Sequence, residues 1–183
     1  MRSLIALALM AGPLLAECPE PADVSAEMTR LFEKARAAPD RQTGRRISDQ
    51  MWKVWLVAPD AAAQEALDRG MRRRDSYDFA GALEDFTRLA EYCPSYAEGF
   101  NQRAFIHYLT NDYEGALVDL GIALSLQPKH VAAQSGRGLT LMQLGRVAEA
   151  REQMLEAVAN NPWLSEAALL EKGAPLGLVG EDL

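Results

Sequence analysis

Pro94, Pro128 and Pro162 stand 34 residues apart, and this period constrains the fold more than any other feature of the chain. Counting back from each proline by the same offsets reaches a small residue (Gly70, Ala104, Gly138) and then an alanine (Ala82, Ala116, Ala150). A large apolar residue follows (Phe86, Leu120, Met154), then a further apolar position (Leu89, Ala123, Ala157). Columns that agree in residue class without a gap mean that one supersecondary unit is repeated. Each unit reads as an amphipathic stretch, a short polar turn (Asp75–Asp78, Thr110–Asp112, Leu144–Arg146) and a second amphipathic stretch. The proline closes the unit because it cannot continue a helix. Small residues let two antiparallel helices approach, and the large residue one turn on fills the space between them. Phe79 and Tyr113 open the second helix of the first two units and are expected to pack on the first.

These columns resemble the tetratricopeptide repeat family. Units 63–96, 97–130 and 131–164 follow its pattern, and the middle one, with Asp112-Tyr113-Glu114-Gly115-Ala116-Leu117 at its second helix, follows it best. Arg69, Arg103 and Arg137 stand where the family often has leucine, His107 where it usually has tyrosine, and Val147 in place of the turn aromatic. We read these departures as local variation. The resemblance implies an all-α fold: a right-handed α-solenoid of helix–turn–helix repeats with helical caps, whose first helices line a concave groove.

The flanks are less regular. Residues 23–37 and 47–57 read as two helices joined by a long loop over 39–46, a pair expected to form a degenerate repeat or N-terminal cap across 17–62. Over 165–183, Ser165 is placed to cap a short terminal helix reaching Lys172, with Gly173 as its stop and an apolar tail beyond.

Residues 1–16 carry Arg2, an apolar run from Leu4 to Leu15 and a small residue at Ala16, the pattern of a cleaved secretory signal. A helix over that run is too short for a hydrocarbon core of about 30 Å, so no stable membrane insertion is expected after cleavage. The expected location is the bacterial periplasm, an oxidising compartment in which Cys18 and Cys93 would pair. Closing that loop contributes on the order of 4 kcal/mol in the chain-entropy model. The alternative is that Cys93 is a small buried apolar residue.

The chemistry of catalysis is sparse. No nucleophile motif occurs, and His107 and His130 lie far apart in sequence. The chain holds only two cysteines and two histidines, and no metal or cofactor is expected. A net charge of -7 argues against nucleic acid as a partner. Arg72, Arg73 and Arg74 point about 100° apart on a helix and make no flat phosphate-binding face. Arg41, Arg45 and Arg46 are a candidate anion patch on the long loop.

What remains is the groove, which the resemblance places at Leu67, Met71 and Arg74, then Asn101, Phe105 and Tyr108, then Ser135, Leu139 and Met142. The Lys and Asn with which some family members hold a terminal carboxylate are absent: Leu67, Met71, Gln102 and Phe105 stand there. An apolar groove with methionines suits another envelope protein or a peptide segment, which makes the chain a non-catalytic adaptor or scaffold. The competing occupant is the chain's own tail from Leu176 to Leu183. Other roles in view are an accessory factor for envelope assembly or cytochrome maturation and, from a different class, an enzyme of unknown type.

Overall fold

The computed structural model describes residues 17–177, so the expected signal segment and residues 178–183 lie outside the described residues. The described residues form α1 (Ser25–Arg36), α2 (Arg41–Trp55), α3 (Ala61–Asp75), α4 (Phe79–Tyr92), α5 (Ala97–Leu109), α6 (Tyr113–Leu126), α7 (Val131–Gln143) and α8 (Val147–Asn160). A short 3₁₀ segment, Ser165–Leu170, follows.

The 34-residue columns become contacts. Ala82, Ala116 and Ala150 are fully buried, as are Phe86 and Met154, with Leu120 nearly so. A Cβ at Gly70 would run into the Phe86 ring, and one at Gly138 would press on Met154, which is why that column is small. The pairs α3–α4, α5–α6 and α7–α8 pack as hairpins, and α4–α5 and α6–α7 join one hairpin to the next. Phe79 packs on the first hairpin's cluster, and Tyr113 meets Tyr108 edge to face at 5.7 Å.

Two further columns organise the hairpins. Tyr77, Asn111 and Gly145 take φ of 65°, 63° and 72° at matching turn positions. There Asp78, Asp112 and Arg146 donate their backbone N–H back to the carbonyls of Arg73, His107 and Leu141, closing the end of each first helix. The arginines read as variation form the second column. Arg69 donates to Asp85, Arg103 grips Asp119 at 2.7 and 2.6 Å, and Arg137 donates to Gln153 at 2.6 Å. Each joins the two helices of its own hairpin through a polar residue buried on the second.

Three expectations for the flanks are corrected. Residues 41–46 are helix, not loop: Asp40 caps α2 by accepting from the Thr43 N–H, and Arg41, Arg45 and Arg46 lie on its first turns. Gly44, within the expected loop, is a packing site on α2, since a Cβ there would meet the Trp163 ring. The terminal helix to Lys172 is a 3₁₀ segment ending at Leu170, and Ser165 does not cap it but bonds Glu166. Six residues are too few for a stable α-helical nucleus, and the segment is held by Leu164, Leu169 and Leu170 against the α7–α8 cluster.

The third correction concerns the α1–α2 pair. Its buried residues cluster with Val131 at the start of α7 and with Trp163 and Leu164 beyond α8, at the far end of the stack from α3. It therefore runs along the stack instead of extending it.

Candidate partner-binding cavity

The inner helices and α2 border a cavity of about 510 Å³. Its floor is made by Arg74 at the end of α3, Asn101, Phe105 and Tyr108 on α5, and Ser135 and Leu139 on α7. Those α5 positions are four and three residues apart, so they share one helical face. Phe105 is 44% exposed despite its size, and the Arg74 guanidinium lies 5.6 Å above its ring.

Leu67, Met71 and Met142 do not line this cavity. Leu67 is fully buried with Phe86 and Ile106, Met71 packs on the same cluster, and Met142 packs on the cluster of Leu141 and Met154. Spacing explains it: Leu67 lies three residues before Gly70, and Met142 four after Gly138, so both share the face turned to the hairpin partner. The tail does not occupy the groove at Leu176, which is fully buried against the α7–α8 end.

The sequence reading missed a wall. Ser48, Met51, Trp52 and Trp55 of α2 close one side of the cavity, and Leu164, Ser165 and Glu166 close another. Trp52 keeps 37% of its surface exposed, while Met51 and Trp55 anchor the wall in the core. The wall is fastened at several points. Trp55 stacks on the His130 ring at 4.2 Å, and its carbonyl accepts from the Tyr96 hydroxyl at 2.7 Å. Asn161 donates to Ser48 at 2.8 Å, and the Trp163 indole N–H donates to the Ala35 carbonyl at 2.7 Å. Burial, followed by the nearby Glu98 charge, raises the Tyr96 hydroxyl pKa above its ordinary value and keeps it a donor. Cys18 and Cys93 form a disulfide, with their Cα atoms 5.1 Å apart, that ties the segment before α1 to the end of α4.

A polar chain, exposed at Asp75 and buried from Gln102 onward, connects floor and wall. Asp75 accepts from Arg74 at 2.8 and 3.0 Å, and Arg74 donates to the Gln102 carbonyl at 2.7 Å. Gln102 and Asn101 both donate to Glu98, and the other donor to its carboxylate is His130 Nε2, 2.8 Å away. His130 Nδ1 accepts the Ala133 N–H as the cap of α7, which leaves Nε2 to face Glu98. The Glu98 carboxyl group is thus fully buried and enclosed by three side-chain partners. Glu98, Asn101 and Gln102, spaced three and four apart on one face of α5, were the sequence signal for it.

The remaining candidates are placed elsewhere. His107 pairs with Asp112 at 2.7 Å and lies 3.7 Å from Asp119, outside the cavity. The three consecutive arginines diverge as expected, with Arg73 on Asp85 and the Gly81 carbonyl, Arg74 in the cavity and Arg72 exposed. Among the described residues no helix is long and apolar enough to cross a membrane.

No protein-family model matches the chain. It is 35% identical over 71 residues to a tetratricopeptide repeat protein 36 homolog of Nematostella vectensis, covering 39% of each chain. It is 21% identical over 118 residues to a TPR repeat-containing protein of Rhizobium etli, covering 64% of this chain and 58% of that one. The chain thus spans less than two thirds of the length of the curated relatives it matches. Among solved structures, the first TPR of Spaghetti (RPAP3) bound to the HSP90 peptide SRMEEVD superposes with a TM-score of 0.57. That match has 20% identity and covers 58% of this chain and 84% of the other. It shares the stacked-hairpin fold.

Proposed function

We propose that this chain, a tetratricopeptide-repeat protein, is a non-catalytic adaptor that holds a short segment of a partner protein in the cavity between α2 and the inner helices. The observation that carries this reading is a pair of large aromatic side chains, Phe105 and Trp52, left partly open to solvent on the lining of one cavity of about 510 Å³. Gathered on one concave lining, such side chains form the kind of exposed apolar patch that marks a binding site. The volume lies in the range of about 300–1,000 Å³ typical of ligand pockets and suits about four residues of an extended segment, not a whole helix. The peptide complex of the structural neighbour supports a peptide as the kind of ligand.

The adaptor works in the bacterial periplasm on another envelope protein. Supporting this are the signal-like residues 1–16 and the Cys18–Cys93 disulfide, which a reducing cytosol would not sustain.

A photo-crosslinking amino acid at position 105 of the full chain, expressed in a Gram-negative bacterium that carries the gene, tests both parts. The expected result is one dominant crosslinked protein, lost when Tyr108 and Leu139 are both changed to alanine. The chain recovered from the periplasmic fraction should lack residues 1–16. A crosslink pattern unchanged by the double variant would place the binding site elsewhere, and an uncleaved cytosolic chain would end the periplasmic reading.

A further inference from the structure

The cavity's charges point to one class of occupant. The charged side chains on its lining are Arg74, Asp75 and Glu166. Arg74 is the sole cation, and it is already spent: its Nε and Nη2 face Asp75 and its Nη1 faces Gln102. Glu166 accepts from the Ser165 hydroxyl and, among the described residues, has no basic partner within salt-bridge distance. Under the floor the Glu98 carboxyl group is fully buried and already taken up by Asn101, Gln102 and His130. With Arg74 and Asp75 offsetting each other, the charge left over on the lining is that of Glu166, in a chain whose net charge is -7. Both acidic side chains of the lining reach solvent, so this negative field is open to screening by salt. An incoming carboxylate would have to take Arg74 from Asp75 and would still meet Glu166.

We infer that this cavity selects a short apolar segment that carries a lysine or arginine and no free carboxylate, with an aromatic side chain seated between Phe105 and Trp52. This rests on the peptide-binding reading of the same cavity and adds the ligand's chemistry to it. The preference is opposite in sign to the acidic SRMEEVD peptide held by the structural neighbour. The cation's place is the Glu166 side, where a carboxylate is unpaired, and the aromatic ring's place is over the exposed faces of the floor and the α2 wall.

The test uses the full oxidised chain and two dye-labelled tetrapeptides, followed by fluorescence anisotropy. One peptide is Phe-Leu-Phe-Lys with an amidated end; the other is Phe-Leu-Phe-Glu with a free carboxylate. The lysine peptide should bind about tenfold or more tightly at low salt, and the gap should narrow to about threefold in half-molar salt. Glu166→Lys, a change on a half-exposed side chain, should shrink the low-salt preference at least several-fold, and Phe105→Ala with unchanged helicity should remove binding of both peptides. Equal or tighter binding of the acidic peptide overturns the inference, as does the absence of saturable binding of the lysine peptide at about millimolar concentration. Should that happen while position 105 still crosslinks a partner in cells, the adaptor reading stands and only the ligand class falls. Should the crosslink fail as well, both fall.

Discussion

The repeat stack and the α1–α2 pair are helical hairpins held by opposite strategies. In the stack one set of devices recurs every 34 residues: the small column against the large one, the left-handed turn residue and the arginine lock. Each device joins neighbours in sequence, so its energy is local and nearly additive along the array. The α1–α2 pair has none of these. Its fastenings are single contacts across 128 residues from Trp163 to Ala35, 113 from Asn161 to Ser48 and 75 from Cys93 to Cys18. A periodic region tolerates damage in one unit. A region with unique fastenings depends on each of them, and the cavity exists only while that region is in place.

Removing the disulfide should break the comparison most. Cys18→Ser leaves the segment before α1 without its covalent tie, and the chain-entropy model assigns a loop of 75 residues about 4 kcal/mol. Urea unfolding of the full chain should show that loss, and reduction of the native protein should reproduce it. A change below about 1 kcal/mol would mean that the noncovalent fastenings suffice.

Within the stack, Arg103→Leu installs the residue the family often has, yet it should destabilise by about 3 kcal/mol because Asp119 is left buried without its bidentate partner. The figure sits at the low end for a buried pair because His107 remains 3.7 Å away. Changing Arg103 and Asp119 together to leucine should recover most of it. The equivalent Arg137→Leu should do less harm, since Gln153 is neutral and also bonds Glu156. Equal losses at the two sites would mean that the lock acts by packing and not by charge.

Trp163→Ala should cost about 2 kcal/mol, confined to the wall. The ring is half-buried, packs over Gly44 and donates to the Ala35 carbonyl. Amide exchange should accelerate across α1 and α2 while α5 and α6 keep their protection. Uniform acceleration would show that the pair and the stack unfold as one unit.

The same contrast decides what was legible in the sequence. Helices α3 to α8 follow from a pattern written three times, and Phe105, Tyr108 and Leu139 follow from register within it. Leu67, Met71 and Met142 were misassigned because the groove face and the hairpin face are adjacent on one helix, and only the partner helix says which is which. Trp52 was invisible as a wall residue, because nothing local in α2 records that its helix is tied through Ser48 to Asn161, 113 residues later, and shares a cavity with α5 and α7. Gly44 shows the same limit, since its neighbour Trp163 gives it a meaning its own surroundings do not.

The smallest expected effect is a gain. The turn column holds Asn111 and Gly145, residue types that tolerate a left-handed backbone, but its first member is Tyr77 at φ 65°. The tyrosine is 82% exposed, and its ring gains only an edge contact with Phe79 at 6.0 Å. Tyr77→Gly removes a side-chain penalty of about 1–2 kcal/mol and adds backbone freedom to the unfolded chain, for a net stabilisation of about 1 kcal/mol. Asn111→Gly should give less, because its side chain accepts from the Tyr113 hydroxyl at 2.7 Å. Thermal unfolding of the two variants ranks them. A destabilised Tyr77→Gly would mean that the Phe79 contact outweighs the backbone strain, and that the first hairpin is closed by aromatic packing where the other two are closed by turn chemistry.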